Sequence, residues 1–87
     1  MIPTGAAQQI ILVAEDEEEV RQSTADMLRE LSYTVIAVDS AAAALRVLDE
    51  DSDLILLFTD VVMPDINGRK LAEEAQRRKP DLKVLYT

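Results

Sequence analysis

"LLFTDVVMPDING", residues Leu56 to Gly68, decides how this chain is read. An apolar run stops at Asp60, and a Met-Pro pair follows three residues later. The run does not alternate with polar residues, so it has the pattern of a strand covered on both faces, as in a parallel sheet. A strand of that kind ending on a carboxylate needs a reason. A second stretch repeats the pattern: "IILVAEDEEE", Ile10 to Glu19, is another apolar run that ends in acid.

Outward from these two stretches, four apolar runs stand out: Ile10–Ala14, Thr34–Val38, Leu54–Thr59 and Lys83–Thr87. Helical patterns fill the gaps. Val20, Thr24, Met27, Leu28 and Leu31 share one face of a first helix. Ala41, Ala44, Leu45 and Leu48 do the same in a second, with Ser40 placed as its N-cap. Leu71, Ala72 and Ala75 form the stripe of a third, which Pro80 ends. The order βαβαβαβ predicts an α/β fold with a parallel sheet and right-handed crossovers. Residues 1–8 are expected to be a tail and 9–87 one domain, with no linker or low-complexity tract.

Composition narrows the chemistry. The chain of 87 residues is 48% hydrophobic and 30% charged, with neither Cys nor His. Disulfides, thiolate metal sites, cysteine catalysis and a histidine base are thereby excluded. The net charge of −8 argues against a nucleic-acid surface. Apolar runs never exceed about five residues, far short of the ~20 that a membrane helix needs. The first nine residues carry neither a basic residue nor a long apolar block, so no secretory signal is expected. The expectation is a cytoplasmic protein without a membrane partner.

In an open parallel sheet, ligands bind beyond the carboxyl ends of the strands, where the strand order reverses. Glu15 and Asp16 follow the first strand, and Asp60 follows the third. If those strands are neighbours, three carboxylates converge. Each pair at ~4–5 Å repels by roughly 3–4 kcal/mol at an effective dielectric near 20. Protonation or a hard divalent cation relieves that repulsion, and Mg²⁺ accepts one or two carboxylates while keeping waters. Plainer readings stand beside this one. Glu17, Glu18 and Glu19 suit a solvated helix start, where acids meet the helix dipole. Asp60 also suits a turn leading into Pro64 and Asn67-Gly68, and Thr87 suits a strand by β-propensity alone.

Taken together, the acid pair after the first strand, the Asp after the third, "MP", "NG" and the final Thr resemble the response-regulator receiver domain of two-component systems. The resemblance runs from about Gln9 to Thr87, and "TDVVMPDINGRKLAEEAQRRKPDLKVLYT" looks most like receivers of hybrid sensor histidine kinases. It implies a flavodoxin-like, doubly wound sheet in which Asp60 accepts a phosphoryl group from a phosphohistidine. The donor would be a histidine kinase or a histidine phosphotransfer protein. The implied Mg²⁺ ligands are Glu15, through water, Asp16, Asp60 and the backbone carbonyl of Val62. Thr87 would bond the phosphoryl group through its hydroxyl.

The family continues through a helix, a fifth strand carrying a lysine at its end, and a final helix. On that comparison the chain is expected to be a C-terminally partial receiver. Its lysines are Lys70, Lys79 and Lys83, and Lys83 opens its strand at the end away from the site. The Lys83–Thr87 strand is then expected to be an uncovered edge, which favours a homodimer. The competing function is a receiver-like interaction module without the phosphoryl chemistry. An acid-nucleophile phosphatase is disfavoured, because Val62 stands where a second acid would be expected. The domain itself is expected to be a signalling switch rather than an enzyme.

Overall fold

A computed structural model describes residues 10–50, 53–60 and 66–86. The elements are β1 (Ile10–Ala14), α1 (Glu18–Glu30), β2 (Thr34–Val38), α2 (Ala41–Glu50), β3 (Leu54–Thr59), α3 (Gly68–Arg78) and β4 (Lys83–Tyr86). The helices and the first three strands match the sequence expectation. β4 ends at Tyr86, and Thr87 lies outside the described residues, as do Val62 and the expected tail.

The strands form one sheet in the order β2-β1-β3-β4, and every neighbouring pair is parallel. From β1 the chain moves outward to β2, then crosses back to β3 on the other side. The order therefore reverses between β1 and β3, which opens a crevice beyond their carboxyl ends. β1 lies between β2 and β3, and Ile11, Leu12, Val13 and Ala14 are fully buried. That explains its unbroken apolar run.

Helices cover both faces. On one, α2 and α3 pack Ala41, Ala44, Leu48, Leu71 and Ala75 against Leu12, Ala14, Leu54 and Leu57. On the other, α1 sets Ala25 and Leu28 against Ile11, Val13 and Val35, with Leu56 and Phe58 at the margin. Successive strand residues alternate between the faces. A register shift next to Ile10 pairs Ile10 with Leu54 and Ile11 with Leu56, so Ile55 is the extra residue of a bulge.

Local signals account for the helix ends. Ser40 Oγ accepts the Ala43 N–H at 3.1 Å, and Asn67 Oδ1 accepts the Lys70 N–H at 2.8 Å. α1 starts without a side-chain cap, and Glu18 and Glu19 occupy its first turn, where acids favourably meet the dipole. It ends in a Schellman motif: Tyr33 N–H donates to Leu28 O and Ser32 N–H to Arg29 O. Ser32 takes the left-handed conformation with φ 73°, a position where glycine is usual.

The expected apolar stripe of α1 needs correcting. Ala25 and Leu28 face the sheet, whereas Val20, Met27 and Leu31 are 39%, 51% and 61% exposed. The helix sits over β1 and β2, so its buried stripe is narrow and lies one flank away from the largest side chains. Small Ala25 takes the position of close approach.

Candidate functional site

The crevice beyond β1 and β3 holds the acids. The ladder extends one residue past each strand: Glu15 N–H donates to Val38 O at 3.0 Å, and Asp60 N–H to Ala14 O at 3.3 Å. Those bonds fix the backbone from which both side chains project. Carboxylate oxygens of Glu15, Asp16 and Asp60 all lie within 4.8 Å of one another. Glu15 is buried, Asp60 half-buried and Asp16 exposed.

Burial is the main cause that raises the Glu15 pKa above its ordinary 4.5. The charges of Asp60 and Asp16 push the same way, while the Glu17 N–H, bonded to Glu15 Oε2 at 3.1 Å, opposes them. At such spacing each charged pair repels by roughly 3–4 kcal/mol at an effective dielectric near 20, less for exposed Asp16. The donor set is oxygen only, and it is compact and anionic. That is the chemistry a hard divalent cation takes, and Mg²⁺ fits it with coordination positions left for water or phosphate oxygens.

Two side chains that sequence reasoning passed over also meet the acids. Arg21, half-buried on the first turns of α1, donates from Nη1 to Glu15 O at 3.0 Å and to Asp16 O at 3.5 Å. Thr59 is completely buried, and its hydroxyl donates to Asp60 O at 3.0 Å. In sequence, Thr59 is a hydroxyl at the end of an apolar strand, whereas Arg21 lies off the expected apolar stripe and shares a face with Ala25 and Leu28 only in the structure. Thr59 could have been singled out from the sequence, but neither residue's partner could.

Lys83 opens β4, where it pairs with Leu56, at the end of that strand away from the acids, as expected. Val62 and Thr87, the other two expected site residues, lie outside the described residues. Glu17, Glu18 and Glu19 are exposed at the helix start and agree with the solvated reading.

The family model described as the response regulator receiver domain matches residues 11–87. The chain belongs to the response regulator receiver domain family. One curated relative is the response regulator receiver protein CpdR of Brucella abortus (strain 2308), 38% identical over 76 residues. The match covers 87% of this receiver and 62% of that protein, so the chain spans less than two thirds of the relative's length. Among solved structures, the receiver domain of the hybrid histidine kinase CckA is 33% identical with a TM-score of 0.84, covering 88% of this chain and 72% of that one. The response regulator TrrA of Thermotoga maritima, in complex with Mg(2+)-BeF, is 29% identical with a TM-score of 0.82. That match covers 87% of this chain and 65% of the other. The flavodoxin-like receiver fold expected from the sequence is therefore established, and with it a place in two-component signalling.

Proposed function

We propose that this receiver is a phosphoacceptor switch in which Asp60 takes a phosphoryl group from a phosphohistidine of a histidine kinase or a histidine phosphotransfer protein. The observation that carries the reading is the convergence of Glu15, Asp16 and Asp60 at the switch point of the sheet. A carboxylate oxygen of Asp60 forms the bond to phosphorus as the P–N bond of the donor breaks. The electron pair of that bond returns to the imidazole nitrogen. The product is an acyl phosphate, which water can hydrolyse back to Asp60 and inorganic phosphate.

Glu15, Asp16 and Asp60 would hold Mg²⁺, with the Val62 carbonyl as a further ligand and the Thr87 hydroxyl bonding the transferred group. When bound, the cation neutralises charge on the phosphoryl oxygens. The remaining work belongs to the protein and is positional: Ala14 O and the Thr59 hydroxyl hold the backbone of Asp60 in place for in-line attack. The Mg(2+)-BeF complex of the Thermotoga relative supports the cation.

The proposed setting is the cytoplasm, where kinase and phosphotransfer partners meet their receivers. A net charge of −8 supports a protein partner over a nucleic acid, and no helix among the described residues is long and apolar enough to cross a membrane. The outer strand β4 carries exposed Leu85 and Tyr86 and is proposed to pair with a second copy of the chain.

Incubation with Mg²⁺ and a small phosphodonor, followed by mass spectrometry, tests the reading. The parent should gain one phosphoryl group, and Asp60→Asn should gain none. An equal adduct on Asp60→Asn overturns the assignment, and an unmodified parent favours the interaction module instead.

A further inference from the structure

The β1–α1 turn has an unusual problem. Glu15, Asp16, Glu17, Glu18 and Glu19 follow one another, and two of them must point at Asp60 against mutual repulsion. The backbone of such a turn sets where its carboxylates project. That backbone is held at three points. Glu15 N–H is tied to β2, Glu17 N–H bonds the Glu15 carboxylate, and Arg21 gathers the carbonyls of Glu15 and Asp16.

Arg21 is the telling member. With five acids within six residues, a guanidinium would ordinarily form an ion pair, as Arg29, Arg77 and Arg78 do. Among the described residues Arg21 forms none, and its donors go to two backbone carbonyls. We propose that Arg21 is a positioning residue: it fixes the turn so that Glu15 and Asp16 present their carboxylates to a cation shared with Asp60. This rests on the Mg²⁺ reading and adds a residue to it.

Two physical effects of Arg21 have opposite signs, which makes the inference decidable. As a positive charge beside the site, it repels a cation, so removing it by charge alone should tighten Mg²⁺ binding. As a clamp on the turn, it preorganises the ligands, so removing it should weaken binding. A site that is loosened by the loss of its supporting residue loses affinity even with every ligand present.

Arg21→Met keeps the length and helix propensity of the side chain but has neither charge nor donor. Arg21→Lys keeps the charge and one donor. Mg²⁺ affinity is measured by calorimetric titration. Hydrogen exchange at the Glu17 amide is measured in metal-free protein, where that amide reports on the turn itself. Arg21→Met is expected to weaken Mg²⁺ binding roughly three- to tenfold, the equivalent of one net hydrogen bond. The Glu17 amide should exchange faster by a similar factor, and Arg21→Lys, which keeps the charge but only one contact, should lie between Arg21→Met and the parent.

Unchanged or tighter Mg²⁺ binding in Arg21→Met, with a Glu17 amide as protected as in the parent, overturns the proposal. If Arg21→Met does not fold, Arg21→Lys decides, because the charge is then constant: weaker Mg²⁺ binding together with a faster Glu17 amide supports the clamp, and parental values of both overturn it. If the parent itself binds no Mg²⁺, the metal reading fails. The Glu17 amide then still judges Arg21 on its own.

Discussion

The two faces of the sheet are built to different standards. Under α2 and α3, Leu12, Ala14, Leu57, Leu71 and Ala75 are completely buried, and both helices begin with a side-chain cap. Arg78 ties the pair together, meeting Asp49 of α2 at 2.7 Å and Glu74 of α3 at 3.2 Å. The α1 side is looser. Among the described residues it has one helix with an uncapped start, a serine in a glycine conformation, exposed Val20, Met27 and Leu31, and a half-exposed Leu85 beside Phe58. The turn that carries Glu15 and Asp16 also leads into α1. Among the described residues, the tighter packing lies under α2 and α3, and the turn into α1 carries two of the three acids.

The largest effect should come from breaking the dense face. Leu57→Ala removes a fully buried side chain between two helices and β1. It is expected to cost about 2–5 kcal/mol. A domain of this length holds only roughly 4–13 kcal/mol in total. Leu85→Ala, half exposed on the other face, should cost less than about 1 kcal/mol. Denaturant unfolding of the two variants compares the faces directly, and equal losses would erase the distinction.

The acid cluster comes next. Mg²⁺ should raise the melting temperature of the parent, since a ligand at ~100-fold its Kd stabilises by roughly 2.7 kcal/mol. Asp16→Ala should abolish that gain while making the metal-free protein more stable, because one repelling charge is gone. Calorimetric melting with and without Mg²⁺ checks both signs. A variant that gains as much from Mg²⁺ as the parent does would remove Asp16 from the ligand set.

A smaller effect concerns the uncovered apolar surface. Size-exclusion chromatography with light scattering at micromolar concentration should show dimers, and Leu85→Lys should shift them to monomers by charging the β4 margin. A sharp monomer peak for the parent, with cooperative unfolding, would mean that the edge requires no partner. The smallest change is Ser32→Gly. It relieves the left-handed serine at the end of α1 and should add roughly 0.5–1 kcal/mol, a rise of a few degrees in melting temperature. No gain there would place the looseness of the α1 side elsewhere.

The sequence by itself determined the elements, their order and the parallel sheet. Apolar runs without alternation can be satisfied only by burial on both faces, and single helices between them leave only parallel crossovers. It also marked Glu15, Asp16 and Asp60, because acids directly after buried strands stand out by position alone. Only the tertiary structure decided that these acids meet, since their approach within 4.8 Å requires β1 and β3 to be neighbours. The rotation of α1, the reach of Arg21 and the left-handed Ser32 were likewise settled in three dimensions. Periodicity records which residues favour burial, but which partner a helix face or a guanidinium meets is set by contacts between segments distant in the chain.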